Sequence, residues 1–232
     1  MHEMQKTRPW AILAAGAAIQ VLTGLPAAWG VFQQPVMDEY GLSEQGAGYA
    51  FGILIAAFGV GCVLGGFLQD SRGPRCAALW GTALLCGGFF AAAILPGGSA
   101  GSFFLAFSIP AGLGTAFLYP SIQSCAQKWY AGRKGLATGV IGGAVGLSGA
   151  FLTVFVRTAV SGFGIVQGIR GAFWALGAVT LPICLVGSLL LQDPPQDAEK
   201  QQKNDRNAID LSPWQMLRTR QYWLCAGAVC FS

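Results

Sequence analysis

The side chains of this chain that can do chemistry are hydrogen-bonding groups set in apolar sequence. They include the indole of Trp29, the hydroxyls of Thr115 and Tyr119 and the amide of Gln123. The sequence does not indicate acid–base catalysis or metal binding, because the only histidine is His2 and the seven cysteines form no CxxC pair. The sequence therefore offers no His-based triad, zinc site or disulfide framework, and we expect neither an enzyme nor a cofactor.

The elements that must position these groups are long apolar stretches that contain no Asp, Glu, Lys, Arg or His. Six of them occur, at 10–33, 45–68, 76–96, 102–123, 136–156 and 171–191. Each reaches the roughly 20 residues that a helix needs to cross about 30 Å of hydrocarbon. Because lipid cannot satisfy free backbone N–H and C=O groups, such stretches have to be helices. With only 10% charged residues, the chain is predicted to be an all-α, multi-pass integral membrane protein, and we expect it in a bacterial inner (plasma) membrane.

The charges between the stretches predict the orientation. Twelve of the fourteen Lys and Arg lie in the N-terminal tail or in the 2–3, 4–5 and 6–7 connections, and only Arg157 and Arg170 lie on the other side. Because cytoplasmic connections are rich in Lys and Arg, the N-terminus and the 6–7 connection are predicted to be cytoplasmic. We expect the two external arginines either to anchor in the interface or to attract anions. The net charge of +4 is small and scattered, which argues against nucleic acid as a partner.

The pattern along the chain predicts three segments. Residues 1–192 form a six-helix bundle, 193–220 are polar and form a cytoplasmic linker, and 221–232 begin a seventh helix that is truncated. This order is the plan of a twelve-helix carrier built from two six-helix bundles, so the missing partner would be a C-terminal bundle. Glycines recur in the second and fifth stretches, three helices apart, which agrees with a 3+3 inverted repeat within each bundle.

The connection between the second and third stretches has a motif with a mechanical role, GFLQDSRGPR at residues 66–75. It resembles the signature G-x-x-x-D-[RK]-x-G-[RK]-[RK] of the major facilitator superfamily, although Ser71 and Pro74 stand where that signature has bases. In the family this loop is a latch that steadies the outward-open state by contacting the second bundle. The resemblance implies that role for Gly66, Asp70, Arg72, Gly73 and Arg75. An ordinary turn at the membrane surface is the alternative.

Two further motifs narrow the resemblance. GLGTAFLY at 112–119, followed by KWYAGRKGLATG at 128–139, is similar to a pattern of the oxalate/formate antiporter family, which is related to the monocarboxylate transporters. WGVFQQP at 29–35 also resembles that family's first helix. The residues that carry the signature in the 4–5 connection are Lys128, Trp129, Arg133, Lys134 and Gly135.

The resemblance also implies a binding site. Trp29 and Tyr119 fall where that family places aromatic side chains around a small carboxylate, and aromatic walls with N–H or O–H donors suit a flat anion. We therefore predict a substrate site made by Trp29, Thr115, Tyr119 and Gln123. For the two aromatic residues a place in the interfacial belt is the alternative. Because no apolar stretch holds an ionisable group, the counter-charge for an anion is expected from the second bundle.

The sequence thus predicts a secondary transporter of small organic anions, such as oxalate, formate or lactate, working by antiport or proton symport. One alternative keeps the superfamily but changes the cargo to neutral solutes or drugs. Another is a six-helix membrane subunit that acts as a homodimer. Charges in a second hydrophobic half would separate the first two, and the absence of such a half would favour the third.

Overall fold

The structure, a computed structural model, describes residues 9–96, 100–163, 168–192, 218–220 and 223–224, and most of these residues are helical. Within these ranges six segments are long and apolar enough to cross a membrane, and we number them as spans 1–6. They are Pro9–Tyr40, Glu44–Arg72, Pro74–Ile94, Ala100–Trp129, Ala131–Thr158 and Gly168–Leu190. The predicted all-α membrane fold is confirmed.

Several helices begin before or end after the apolar stretches of the sequence. Span 2 is one helix from Glu44 to Arg72, and it begins at Glu44 because Ser43 accepts a hydrogen bond from the Gly46 backbone N–H at 3.1 Å and so caps the first turn. The helices are α1 (Pro9–Thr23), α2 (Leu25–Tyr40), α3 (Glu44–Arg72), α4 (Pro74–Ile94), α5 (Ala100–Phe103), α6 (Ile109–Trp129), α7 (Lys134–Phe163) and α8 (Gly168–Leu190).

Span 1 is broken near its middle. Gly24 separates α1 from α2, and its φ of −73° and ψ of 45° are outside the helical range. Pro26 follows at the start of α2, and because proline has no backbone N–H, the carbonyl four residues earlier loses its helical donor. Span 4 has a second irregularity, a π-helix at Phe104–Ser108, which lies just before Pro110.

Glycine determines how closely two central helices pack. A Cβ at Gly114 of α6 would lie 2.5 Å from the backbone nitrogen of Leu85 on α4. A Cβ at Gly81 of α4 would lie 2.8 Å from the carbonyl oxygen of Gly114. The two backbones are therefore in direct contact, as small residues allow in membrane bundles. Around this contact α4 packs on α6 and α8, α3 packs on α6, and α1 packs on α7 and α8.

Aromatic rings fill the bundle beyond the break in span 1. Phe32 of α2 stacks on Phe173 of α8, with ring centroids 5.9 Å apart and an interplanar angle of 6°. Phe107 of the π-helix lies 5.0 Å from Phe173 and 5.2 Å from Phe103. Because all four rings are fully buried, this cluster joins spans 1, 4 and 6 into one core.

The backbone contacts divide the chain into two compact units, Met1–Asp193 and Pro194–Ser232. The first contains all six spans. Of the second, the structure describes only 218–220 and 223–224, where residues 220, 223 and 224 are helical. The predicted linker and seventh helix lie almost wholly outside the described residues, so their boundaries stay predictions. The cytoplasmic orientation also stays a prediction from the charge count.

We name the two ends of the bundle by what lies there. The end at which residue 192 leads into the predicted linker also holds the α3–α4 turn and the turn between α6 and α7, and we call it the linker end. The opposite end holds the α2–α3 turn and the beginning of α8.

Candidate functional site

Two of the predicted site residues form a polar stripe on α6. Tyr119 and Gln123 are four residues apart, so they lie on one face of the helix, and both side chains are half-buried. The ring of Tyr119 is 6.5 Å from that of Phe58 on α3, tilted by 52°. The side-chain oxygen of Gln123 is buried, and among the described residues it has no hydrogen-bond partner. This stripe therefore has hydrogen-bonding capacity to spare.

The other two predicted site residues lie in the interior of the bundle. Trp29 is only 7% exposed and is stacked between Phe51 of α3 and Phe107, with centroid distances of 5.9 and 6.4 Å. Thr115 is 4% exposed, and its hydroxyl donates a hydrogen bond of 2.8 Å to the carbonyl of Ala111 in its own helix. In this arrangement neither side chain is open to a solute from outside the bundle.

Helix α3 links the two groups of predicted residues. Phe51 contacts Trp29, and Phe58 contacts Tyr119. Residues seven apart lie on the same helical face, about 10 Å along the axis at 1.5 Å per residue. Trp29 and Tyr119 therefore lie along the same side of α3, two turns apart.

The break in span 1 contacts α7 through a serine that sequence analysis did not single out. Ser148 donates a hydrogen bond of 3.2 Å to the carbonyl of Gly24, and its side chain fills the space that a Cβ at Gly24 would need. Next to the break, Thr23 donates to the side-chain oxygen of Gln20 at 3.3 Å, and both residues are buried. Gly24 and Pro26 within an apolar stretch were the sequence signal for this break, since broken helices mark binding regions in many transporters.

The predicted latch forms the turn at the linker end between α3 and α4. Gly73 has a φ of 85° and a backbone N–H that donates to Gln69 at 2.8 Å, and Pro74 begins α4, as the Gly-Pro pair predicts. Asp70, Arg72 and Arg75 are exposed. Among the described residues, no atom lies within 4 Å of the position that a Cβ at Gly66 would take. These groups are available to another segment, and the latch role stays a prediction.

The signature between α6 and α7 also lies at the linker end, where a 3-10 turn spans Ala131–Arg133. Arg133, Lys134 and Gly135 are exposed, and Lys128 and Trp129 are half-buried. The Trp129 indole N–H donates a hydrogen bond of 2.7 Å to the backbone carbonyl of Gln192, just past the end of α8. The signature therefore connects the end of α6 to the end of α8 through two residues that are 63 positions apart in sequence.

A cluster of hydrogen bonds at the opposite end shows what Arg170 does. Its Nε lies 2.8 Å from a carboxylate oxygen of Glu39, and the side chains are 32% and 34% exposed. One of its terminal nitrogens donates to the carbonyl of Leu95, at the end of α4. Tyr40 donates to the carbonyl of Ala92 at 2.7 Å. These contacts give Arg170 a role that neither expectation named, because its charge joins α8 to a carboxylate of α2 and to the end of α4.

Two helices present glycine-rich faces on which nothing described packs. On α3 the positions are Gly48, Gly52, Gly59 and Gly66, and on α7 they are Gly139, Gly142, Gly143 and Gly146. For all eight, no described atom lies within 4 Å of the position that a Cβ would take. Spans 2 and 5 are also the least buried of the six, at 17% and 28% of their most apolar windows. Of the ten glycines whose recurrence suggested an inverted repeat, seven lie on these open faces, whereas Gly61 and Gly65 pack on α6 and Gly149 packs on α2.

Comparison with known proteins places these features in a family. The sequence model of the Major Facilitator Superfamily matches residues 11–232. The oxalate:formate antiporter of Oxalobacter formigenes is 23% identical over 206 residues, which cover 88% of this chain and 47% of that protein. Monocarboxylate transporter 9 of Mus musculus is 29% identical over 189 residues, which cover 78% of this chain and 35% of that protein. The chain thus spans about half the length of the first relative and about a third of the second.

A solved structure with the same fold is a crystal structure of peptide transporter POT in complex with sulfate. It superposes with a TM-score of 0.60 at 23% sequence identity, covering 96% of this chain and 44% of that one. At this identity the likeness shows the fold alone. The fold is a six-helix bundle that corresponds to half of such a transporter.

Proposed function

This chain belongs to the major facilitator superfamily, and on that premise we propose that it is the N-terminal half of a secondary transporter of small organic anions. The family and the named relatives indicate a transporter rather than an enzyme. The proposed cargo is a mono- or dicarboxylate such as oxalate, formate or lactate. It is carried by antiport or proton symport, as two bundles rock around a site between them.

The observation that carries this proposal is the polar stripe on α6. Tyr119 can donate a hydrogen bond to a carboxylate, and the amide N–H groups of Gln123 can do the same, whereas its buried oxygen, which has no partner among the described residues, can only accept from a protonated acid or from water. A flat anion that lies between an aromatic edge and these polar groups loses water but keeps hydrogen bonds. In this proposal Trp29 and Thr115 support the site from buried positions, Trp29 through its stacking on Phe51 of α3 and Thr115 one turn from Tyr119 on α6.

The cargo is inferred from the relatives and from the charges that the bundle lacks. Of the two named relatives, the oxalate:formate antiporter matches the larger share of this chain, and the other is a monocarboxylate transporter. The apolar stretches of the sequence contain no ionisable side chain. An anion in a low-dielectric site needs a counter-charge, and we propose that a second bundle provides it.

The open faces of α3 and α7 support the proposed partner. Glycine stripes let helices approach until their backbones touch, and α4 with α6 shows this packing inside the bundle. Unfilled stripes on α3 and α7 would suit helices of a second bundle. The chain spans about half the length of the antiporter it matches, which agrees with a missing partner of similar size.

Exchange in proteoliposomes tests the proposal. The protein encoded by the complete gene is reconstituted in vesicles loaded with unlabelled oxalate, formate or lactate, and entry of the same labelled anion is followed. Labelled glycerol and a labelled neutral sugar serve as controls. We expect counterflow of at least one of the anions and of neither neutral solute. Uptake of a neutral solute with all three anions ignored would contradict the proposal.

A further inference from the structure

The end of α8 is held by two side chains from the last turn of α6. The indole N–H of Trp129 donates to the backbone carbonyl of Gln192 at 2.7 Å, and the thiol of Cys125 lies 3.3 Å from the same oxygen. Residues 125 and 129 are one helical turn apart, so both side chains reach the carbonyl from one face of α6. The oxygen of Gln192 therefore accepts from a strong donor and from a weak one.

This carbonyl needs donors from outside its own helix. The last carbonyls of any helix have no partner in the following turn. In α8 the last regular bond runs from the N–H of Leu191 to the carbonyl of Gly187 at 3.2 Å, and Gln192 lies beyond it. A tryptophan indole reaches such a group well, because its large ring packs against apolar neighbours while its N–H points to the polar edge.

The contact lies where the bundle meets the rest of the chain. The first compact unit ends at Asp193, one residue after Gln192. The sequence from 193 to 220 is polar and carries Lys200, Lys203 and Arg206. Helices α6 and α8 both pack on α4 and on α1, so a bond between their ends fixes the end of α8 relative to the whole bundle.

The same turn is joined to α7. The side-chain amide of Gln127 donates a hydrogen bond of 3.0 Å to the hydroxyl of Thr138, in the first turns of α7. The last turn of α6 therefore bonds both to α7, which has one of the two open glycine faces, and to the residue after the end of α8.

We propose that Trp129 is a positioning residue that fixes, through its bond to the Gln192 carbonyl, the point at which the 193–220 segment leaves the bundle. The tryptophan of the signature between α6 and α7 then has a task distinct from substrate binding. Its hydrogen bond holds residue 192, the last described residue before that segment, against the last turn of α6.

A simpler role for Trp129 is to anchor the bundle in the lipid interface, as exposed tryptophans do. That role needs the ring and not a particular partner for the N–H. The two roles therefore predict different exchange behaviour at the end of α8 when the N–H is removed and the aromatic ring is kept. Trp80 of α4, which is 55% exposed, offers a matched tryptophan for comparison.

Hydrogen–deuterium exchange of the protein in lipid nanodiscs tests the proposal with Trp129→Phe and Trp80→Phe. Loss of one hydrogen bond corresponds to an about fivefold change in a local opening equilibrium. We expect Trp129→Phe to speed exchange about fivefold in the peptide that covers 187–193, with an unchanged thermal midpoint. Trp80→Phe should leave this peptide as in the parent protein. Equal exchange in the parent and in Trp129→Phe would overturn the proposal.

A second variant keeps the test decisive if Trp129→Phe lowers the stability of the whole bundle. Replacing Trp129 by 3-benzothienylalanine exchanges the indole N–H for sulfur and keeps the size and shape of the ring. We expect the same fivefold local increase in exchange, confined to 187–193. Exchange that is unchanged there, or that rises uniformly in all six spans, would refute a positioning role.

Discussion

The contact between α4 and α6 predicts a large difference between two glycine-to-alanine substitutions. In Gly114→Ala the new Cβ would lie 2.5 Å from the Leu85 nitrogen and 2.7 Å from the Gly81 oxygen, both of them backbone atoms. One helix would have to retreat by about 0.9 Å to restore an ordinary 3.4 Å contact. Backbone atoms cannot rotate away as a side chain can, so the cost is near the upper end of overpacking, about 3 kcal/mol.

Two effects of Gly114→Ala act in opposite directions, and the balance is a loss. Alanine is favoured over glycine within a helix by about 1 kcal/mol. The net effect is then a destabilisation of about 2 kcal/mol, which lowers the thermal midpoint of a chain of this size by about 4–8 °C. Gly87→Ala of α4 is the matched control, because this glycine is exposed, lies outside the open stripes of α3 and α7, and no described atom lies within 4 Å of its Cβ position. Its midpoint should stay the same or rise by about 2 °C.

Thermal unfolding in detergent, followed by tryptophan fluorescence, measures both variants against the parent protein. The close packing of α4 and α6 predicts a clear drop for Gly114→Ala alone. A midpoint of Gly114→Ala equal to that of the parent protein would refute the packing, because it would mean that Gly114 is not in backbone contact. An equal drop for both variants would also contradict it, because the exposed Gly87 would then be as sensitive as the buried contact.

The remaining predictions concern the two ends of the bundle. Arg170→Gln removes the pair with Glu39 and a bond to the end of α4, so we expect a loss of about 1 kcal/mol in unfolding free energy and an unchanged KM for anions. The control Arg157→Gln, at an exposed position, should change neither quantity. A raised KM for Arg170→Gln alone would show instead that Arg170 attracts anions. Asp70→Asn removes the acceptor charge of the predicted latch, so in the complete carrier we expect slower exchange with the thermal midpoint kept, whereas Ser71→Ala should leave the exchange rate unchanged; equal rates for the two variants would contradict the latch.

The sequence was sufficient for the spans and the turns, because these depend on local chemistry. Apolar stretches without charges indicate membrane helices, and the capping side chain of Ser43 and the Gly73-Pro74 pair act within a few residues of their own position. The family resemblance followed from motifs in the same connections, and the match over 11–232 confirmed it.

Which face of each span is packed could not be predicted from the sequence. A helix that is apolar all round has no polar side to show which face points outward. Gly59 and Gly61 of α3 are two residues apart, yet the first is open and a Cβ at the second would lie 2.6 Å from Ala116. Hydrogen bonds between distant residues could not be predicted for a similar reason, since no residue near Trp129 in the sequence indicates that its partner is a backbone carbonyl beyond the end of α8.

The same limit explains why only part of the predicted site is open. Trp29 and Tyr119 looked alike in sequence, as aromatic residues with a donor in an apolar stretch. The structure separates them, because Trp29 stacks between two phenylalanine rings and Tyr119 is half-exposed beside Gln123. Packing against α3 and the π-helix decides this difference, and it depends on residues far away in the chain.

The half-saturation concentration for anion exchange tests most directly whether the polar stripe of α6 contacts the anion. It is measured in proteoliposomes of the complete carrier for Tyr119→Phe, with Trp80→Phe as the control. Loss of a hydrogen bond to a carboxylate corresponds to about a tenfold increase in KM. We expect this increase for Tyr119→Phe, with an unchanged thermal midpoint, and no change for Trp80→Phe. An unchanged KM for Tyr119→Phe would contradict the claim that the polar stripe of α6 contacts the transported anion.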